Sequence, residues 1–361
     1  MNSKYSNCWL EMSFKAFTLT LALLLVSRAM SLSELWSYNS AGTATSLTFS
    51  ENGNLGVSSL DSCAYVFDQN GNLLNKTCGC WNCYMGDVSY CCGKFGFINE
   101  DNKAYIFYEN GTLWKKVDVG SHYYHSAITI HSNGFIACRS YCAYLYFNGT
   151  RKWNVYVGYV ENGPSIHANY VYAADINGKS LCVLRLSNGA KVKEISYNEF
   201  VYDTATCSNY LAVSTLHHLY LYDLSDPVNP IELWSSEGLN YAIHITFSPD
   251  CRYIAVADYN NKKLKIFDIR GELVLEKGYP NEVYSVAWWN DRIAVGLNSN
   301  EFRVYKIVFD QIQNTATTIS TSTESESTQA SESVDETGTQ IPLVALAVPV
   351  IITLGRKLKL L

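Results

Sequence analysis

A residue that recurs at nearly constant spacing is the feature of this sequence that most constrains its fold. It ends the third β-rich run of each unit, and it is aromatic in six units of seven. The positions are Phe67, Phe107, Tyr146, Arg185, Tyr222, Phe267 and Tyr305. A repeat of about 40 residues predicts one four-stranded sheet per unit, and such sheets need neighbours to bury both faces. The sequence therefore predicts an all-β fold: a seven-bladed β-propeller of four-stranded blades.

The unit from Phe247 to Leu275 shows the repeat most clearly, with three β-rich runs joined by polar turns. Its segments FSPDCRYIAVAD and IFD resemble the WD-repeat pattern, with Phe267 for the usual Trp and Cys251 for the usual Gly. The segment NGTLWKKVDVG, from Asn110 to Gly120, is more similar to the repeats of quinoprotein-like propellers. The resemblance covers Glu34 to about Phe309. It implies a fold and hardly any chemistry.

Composition narrows the class of partner. The chain is 48% hydrophobic and 17% charged, contains 27 tyrosines, and has a net charge of −6. A segment rich in Ser and Thr, from Thr315 to Gln340, holds five acidic residues and no basic one. The predicted propeller is therefore close to neutral. Nucleic acid is not expected as a partner, since it would require a basic face.

The N-terminal residues predict export. Lys15 precedes an apolar run from 16 to 26, and Ala29-Met30-Ser31 matches a small-residue cleavage site. We interpret residues 1–31 as a signal peptide, with either Met1 or Met12 as the true start; a buried N-terminal helix is the alternative. The next segment, Glu34–Asn39, resembles the last strand of a blade. Since the seventh unit lacks a convincing fourth strand, this segment is predicted to close that blade; a simple linker is the alternative.

The C-terminal residues predict attachment to a membrane. After the propeller (34–310), residues 311–340 contain almost no apolar side chains that could form a core. They are predicted to be a disordered, Ser/Thr/Glu-rich stalk. Residues 341–361 contain an uncharged, mostly apolar run followed by Arg356, Lys357 and Lys359. A single transmembrane helix with a cytoplasmic basic end is predicted, which leaves the propeller on the extracellular side. A lipid-anchor signal, with attachment at Ser331 or Ser333, is the alternative.

Most cysteines lie in the first three units. The disulfide candidates are Cys63, Cys78, Cys80, Cys83, Cys91, Cys92, Cys138 and Cys142. An exported chain meets an oxidising compartment, so disulfides are favoured over a thiolate metal site or free thiols. Removal of the signal peptide with Cys8 leaves an odd number, which implies at least one unpaired thiol or an intermolecular bond.

The vicinal pair Cys91-Cys92 has a counterpart in some quinoprotein alcohol dehydrogenases, where such a disulfide lies against the cofactor. That resemblance implies an oxidoreductase with eight blades, a calcium ion and a catalytic Asp. The present chain has seven units and no recognisable set of calcium ligands. We therefore assign no cofactor and no metal site, and we interpret the pair as a structural disulfide that stabilises a strand.

The N-terminal ends of the innermost strands are the candidate ligand site, because in a propeller they converge on the mouth of the central channel. The aligned positions are Ser46, Asp87, Ala127, Ser165, Asp203, His244 and Ser285, and His122 and His125 precede the third of these strands. Titratable groups such as Asp87, Asp203 and His244 can hold a metal or a polar ligand. Alternatively, small polar side chains there simply face water.

Three glycosylation sequons begin at Asn75, Asn110 and Asn148, each predicted to lie in an exposed turn after a third strand. No catalytic motif is found in the sequence, so no enzyme is expected. The sequence favours a cell-surface, membrane-anchored binding or scaffolding module for protein or glycan ligands. The alternatives are a quinoprotein-like oxidoreductase and a structural component of the cell envelope.

Overall fold

The computed structural model describes residues 30–79, 84–119, 127–139 and 141–309, and within these ranges every regular element is a β-strand. The strand that precedes the first repeat is β1 (Met30–Asn39). The first three repeats contain β2 (Ala44–Phe49), β3 (Leu55–Ser59), β4 (Cys63–Phe67), β5 (Leu73–Cys78), β6 (Met85–Cys91), β7 (Lys94–Asn99), β8 (Lys103–Tyr108), β9 (Leu113–Asp118), β10 (Ala127–His131), β11 (Gly134–Cys138), β12 (Tyr141–Tyr146) and β13 (Arg151–Tyr156).

The last four repeats contain β14 (Ser165–His167), β15 (Tyr170–Asp175), β16 (Ser180–Arg185), β17 (Lys191–Ser196), β18 (Val201–Cys207), β19 (Tyr210–Thr215), β20 (Leu219–Asp223), β21 (Ile231–Ser236), β22 (Ala242–Phe247), β23 (Tyr253–Asp258), β24 (Lys263–Asp268), β25 (Leu273–Gly278), β26 (Val283–Trp289), β27 (Arg292–Leu297) and β28 (Glu301–Phe309). None of the described residues forms a helix that could cross a membrane.

These strands form seven antiparallel sheets of four strands, which we number as blades one to seven in chain order. In blades one to six the strands follow the chain outward, beginning with the first strand of each repeat. The innermost strand β2 contacts both β6 of blade two and β26 of blade seven, so the ring of sheets is closed. The prediction of a seven-bladed propeller with four-stranded blades is confirmed.

Blade seven combines strands from both ends of the repeat array, in the order β1-β28-β27-β26. Met30 pairs with Phe309 and Asn39 pairs with Glu301. The closing strand therefore starts four residues before the predicted Glu34, and two residues of the predicted signal peptide, Met30 and Ser31, belong to it. The rest of that peptide, together with the predicted stalk (311–340) and anchor (341–361), lies outside the described residues, as do Cys80, Cys83, His122 and His125.

The core lies between neighbouring sheets. The cluster between blades six and seven, for example, joins Leu264 and Ile266 to Val295 and Tyr305. Because the second and third strands have a sheet on either side, they are buried along almost their whole length, whereas outermost strands such as β17 face solvent. The recurring aromatic residue is therefore buried in five blades, and in blade three Tyr146 is partly buried. Arg185, its one exception, is exposed.

The structure pairs Cys63 with Cys78, Cys91 with Cys92, and Cys138 with Cys142, all among the candidates above. It also pairs two cysteines that the sequence analysis missed, Cys207 and Cys251. This bond joins the end of β18 in blade five to the turn between β22 and β23 in blade six. Among the described cysteines, Cys182 is free and buried.

Candidate functional site

A bulge near the N-terminal end of the innermost strand is common to five blades. One extra residue is inserted opposite the neighbouring strand, at positions 45, 86, 202, 243 and 284. The residue after the insertion is one of the predicted site residues: Ser46, Asp87, Asp203, His244 or Ser285. A bulge bends a strand and re-aims its side chains. It therefore decides which residues face the channel and which reach its mouth.

Asp87 and Asp203 occupy equivalent positions in blades two and five, and each carboxylate joins its own blade to the next. Asp87 accepts the N–H of Val88 at 2.7 Å and that of Ile128 in blade three at 2.9 Å. Asp203 makes the same pair of contacts with Thr204 at 2.7 Å and Ile245 at 2.8 Å. Both side chains are thus committed to backbone donors that would otherwise be buried without partners.

Burial sets the charge of this pair. It raises the pKa of Asp87 to about 6, although the N–H groups of Ile128 and Val88 act in the opposite direction. Burial also raises the pKa of Asp203 well above its ordinary value, and the negative charge of Asp87 adds to that rise. Two buried like charges are unfavourable, so the channel resists ionising both carboxyls at once.

His244 lies beside Asp203 without a hydrogen bond between them. Its Nδ1 is 3.8 Å from Asp203 Oδ2, and within the described residues that nitrogen is buried without a partner. The side chain is 13% exposed, and burial lowers its pKa to about 4. At neutral pH the imidazole is therefore uncharged, and the pair is not a salt bridge.

These three side chains line a channel cavity of about 230 Å³. Its walls continue along the inner strands past Thr129 and Thr246 to Trp288, toward the C-terminal ends of those strands. Among the described residues, no three His, Cys, Asp or Glu side chains are placed to hold a metal ion. Neither Cys91 nor Cys92 lines the cavity, and Cys92 is exposed on the turn before β7.

The serines at the aligned positions do not line the channel cavity. Ser46 and Ser285 are buried, and the Ser285 hydroxyl donates to the carbonyl of Ala44 in blade one. Ser165 is half-buried and contacts the Thr204 hydroxyl at 3.0 Å. Ser46 and Ser285 each follow a bulge, whereas Ser165 lies in a strand that pairs without one. A role of these serines in ligand binding stays a prediction.

Tyrosines form the actual mouth. We call six of them the tyrosine mouth: Tyr84, Tyr159, Tyr202, Tyr241, Tyr259 and Tyr284. Ring centroids are 4.4 Å apart for Tyr202 and Tyr241, 5.3 Å for Tyr241 and Tyr259, and 5.7 Å for Tyr259 and Tyr284. Tyr202 and Tyr284 are themselves bulge residues. All but Tyr202 remain at least partly exposed.

The sequence carries a further signal for this mouth. Four of the tyrosines lie one or three positions before an aligned polar residue, in YMGD (84–87), VYD (201–203), YAIH (241–244) and VYS (283–285). A tyrosine at this place in several repeats indicates a shared location at one end of the channel.

A second cavity of about 130 Å³ opens within the tyrosine mouth, and we call it the Glu161 pocket. Its lining includes Tyr84, Tyr159, Tyr284, Glu100, Arg139 and Glu161. Burial raises the pKa of Glu161, and the Arg139 guanidinium opposes that shift. The neighbouring Asn162 donates to the carbonyls of Tyr202 at 3.2 Å and Ile243 at 2.7 Å. These bonds tie the segment that carries Glu161 to blades five and six.

The sequons differ in their surroundings. Asn110 and Asn148 are exposed in turns, where each Oδ1 accepts the N–H of the sequon Thr, at 3.0 Å from Thr112 and 2.9 Å from Thr150. Asn75 instead lies within β5, and its Nδ2 donates to the carbonyl of Gly111. The prediction that all three lie in exposed turns is therefore wrong for Asn75.

Replacing His244 by Asn should make the protein less sensitive to acid. The unfolded chain takes up a proton near pH 6.5, whereas the folded imidazole resists it until about pH 4, so wild-type stability falls as pH drops through this window. Between pH 7.5 and 4.5, wild type should lose about 2–3 kcal/mol relative to His244→Asn. Urea unfolding at both pH values measures the difference. His217→Asn, which removes an exposed histidine, is the control. A difference that does not change with pH would contradict the burial effect.

Two solved β-propellers are similar to this chain. One is the crystal structure of the Myceliophteria thermophila Cps50 (Swd1) propeller domain, with a TM-score of 0.65 and 14% identity over 77% of this chain and 100% of that one. The other is the WD40 propeller domain of Doa1, with a TM-score of 0.66 and 14% identity over 76% and 97%. No protein-family model and no curated protein matches the sequence. These similarities show the fold of this chain, a β-propeller.

Proposed function

We propose that this protein is a non-enzymatic binding module of the cell surface, which binds a protein partner through its tyrosine mouth. The observation that carries the proposal is the mouth itself: Tyr84, Tyr159 and Tyr284 line one cavity, and the rings of Tyr241 and Tyr259 continue from Tyr284. Tyrosine combines a large apolar ring with a hydroxyl that can form hydrogen bonds, and it is enriched in the energetically important parts of protein interfaces.

The channel supports the non-enzymatic part of this proposal. Asp87 and Asp203 direct their carboxylate oxygens at backbone N–H groups of adjacent blades, which is a structural role. A general base must instead reach a proton of its substrate. His244 is neutral at physiological pH, but its neighbour Asp203 does not orient it through a hydrogen bond. The three groups therefore lack the mutual geometry of a catalytic set.

Replacing Tyr241 and Tyr284 together by Ala should abolish partner binding. Loss of two interface aromatics commonly weakens binding by 2 kcal/mol or more each, so we expect at least a hundredfold loss of affinity. The full chain, cross-linked on cells and analysed by quantitative mass spectrometry, identifies proteins captured by wild type and lost in the variant. Tyr156→Ala is the control, since Tyr156 is 60% exposed on the outermost strand of blade three.

Proteins captured equally by wild type and the Tyr241/Tyr284 variant would place the binding surface elsewhere. A wild-type chain that binds free glycans, with this binding lost in the same variant, would assign a glycan rather than a protein as the ligand. Tyr156→Ala tests whether loss of any exposed tyrosine has the same effect, and the circular dichroism spectrum of the Tyr241/Tyr284 variant shows whether it is folded.

Export and anchoring rest on the sequence. The order of leader, folded domain, unburiable stalk, apolar run and basic end is that of a single-pass protein with an external N-terminus. We expect full-length protein to be labelled by biotinylation of intact cells and to stay in membranes washed with carbonate. A chain truncated after Asp310 should appear in the medium. Carbonate release of the full-length protein would refute the anchor.

Glycosylation supplies a second readout of export. Glycosidase should increase the gel mobility of wild type, and Asn110→Gln and Asn148→Gln should each remove one step of that shift. Asn75→Gln should leave the mobility unchanged, because the Asn75 amide is engaged with Gly111. Absence of any shift in wild type, or a shift that depends on Asn75, would contradict this expectation.

A further inference from the structure

The Glu161 pocket contains a carboxylate for which the described residues provide no hydrogen-bond donor. No hydrogen bond from a described residue reaches the Glu161 carboxylate, although it lies in a cavity and burial raises its pKa. A carboxylate taken out of water loses hydration that must be replaced by a donor or a cation. Arg139 provides part of that replacement, since among the described residues it is the positive group that acts on Glu161.

Arg139 is shared, however. Its guanidinium lies 4.0 Å from the Glu100 carboxylate and 5.5 Å from the ring centroid of Tyr159. Among the described residues, the charged ones that line the pocket are two glutamates and one arginine. With both glutamates ionised the pocket has a net charge of −1, which one additional positive group would neutralise.

The aromatic lining favours a cation as well. The face of a tyrosine ring carries a partial negative charge and attracts cations, most strongly where water is excluded. Three rings of the tyrosine mouth, those of Tyr84, Tyr159 and Tyr284, line the same cavity as Glu161. A cation paired with Glu161 would therefore lie close to these rings.

The size of the pocket limits the ligand to one small group. Its volume is about 130 Å³, whereas an engineered cavity of about 150 Å³ takes up a benzene molecule. A guanidinium group with its last methylenes is of this size. Arginine is preferred over lysine because its guanidinium is planar, stacks on aromatic rings and is more weakly hydrated than an ammonium.

We propose that the Glu161 pocket binds one arginine side chain of the protein partner, with the guanidinium paired to Glu161 and stacked between rings of the tyrosine mouth. This inference rests on the proposed function and specifies the chemistry of its binding site. Arg139 then acts as a positioning residue, because it keeps Glu100 from competing for the incoming charge.

The probe is N-acetyl-arginine methylamide, titrated into the full-length protein in detergent and followed by calorimetry or ligand-observed NMR. We expect saturable 1:1 binding that weakens with added salt. N-acetyl-citrulline methylamide, which has a similar shape without the charge, should bind at least tenfold more weakly. Glu161→Gln should weaken arginine binding by at least tenfold. Glu237→Gln, which removes an exposed carboxylate outside the pocket lining, should leave it unchanged.

Equal binding of the arginine and citrulline probes, or an unchanged affinity in Glu161→Gln, would overturn the proposal. Tighter binding of the lysine analogue or of tetramethylammonium would overturn the assignment to arginine. These measurements do not require the partner. The proposed function alone fails if the Tyr241/Tyr284 variant still captures every partner. The arginine proposal alone fails if that variant loses the partner but Glu161→Gln binds the probe as tightly as wild type.

Discussion

A fragment that begins at residue 40 is expected to unfold far more readily than one that begins at residue 30. Without β1, the edge of β28 is left unpaired. Trp36 and Tyr38 are also removed from Phe67 and Phe302, which they contact with ring centroids 4.8–5.9 Å apart. Burial of each aromatic side chain contributes about 1.5–3 kcal/mol, and a native domain has only about 5–15 kcal/mol in total.

Circular dichroism melts of the fragments 30–309 and 40–309 measure this effect. We expect the shorter fragment to lose its cooperative transition or to melt at a much lower temperature. Leu35→Ser in the longer fragment is the control, because Leu35 is an exposed residue of β1 whose loss leaves the strand pairing intact. Equal melting temperatures for the two fragments would show that closure by β1 does not stabilise the ring.

Removal of the Cys207–Cys251 bond is expected to cost about 4 kcal/mol. The bonded residues are 44 positions apart, and the loss of loop-closure entropy in the unfolded chain gives this value at 25 °C. The bond also joins two blades, so its loss frees one sheet relative to the next. The double variant Cys207→Ala/Cys251→Ala should leave little cavity, since both cysteines are only partly buried.

The matched control is Cys138→Ala/Cys142→Ala, whose cysteines are four positions apart within one blade. The same loop-entropy relation gives about 2 kcal/mol for this bond. Urea unfolding of both variants under non-reducing conditions compares the two losses. A smaller loss for the Cys207–Cys251 variant than for the control would contradict the role we assign to the bond between blades.

The sequence predicted the blades well because one physical requirement repeats. A third strand places a large side chain between two sheets, as Phe67, Phe107 and Tyr305 do in blades one, two and seven. The closing strand was predictable for a similar reason: ELWSYN, like the outermost strand IELW (231–234), pairs a Trp with polar neighbours. Both signals arise from burial, which a single sequence displays directly.

The site was predicted less well because it depends on single-residue insertions. A bulge changes which face a side chain occupies, yet it leaves no mark on composition or on a repeat spacing that already varies. Tyr202 and Tyr284 reach the mouth from bulge positions, while Ser46 and Ser285 are turned inward. The partners of Asp87 are likewise hidden, because the N–H of Ile128 belongs to another blade.

The shared blade seven also fixes when the protein can finish folding. Met30 is paired with Phe309, so the first described strand cannot pair until the last one has been made. Contacts so distant in the chain form slowly, and an N-terminal strand made early remains without its partner throughout synthesis. A ring whose final sheet needs strands from both ends of the repeat array therefore stays open until the last repeat has been made.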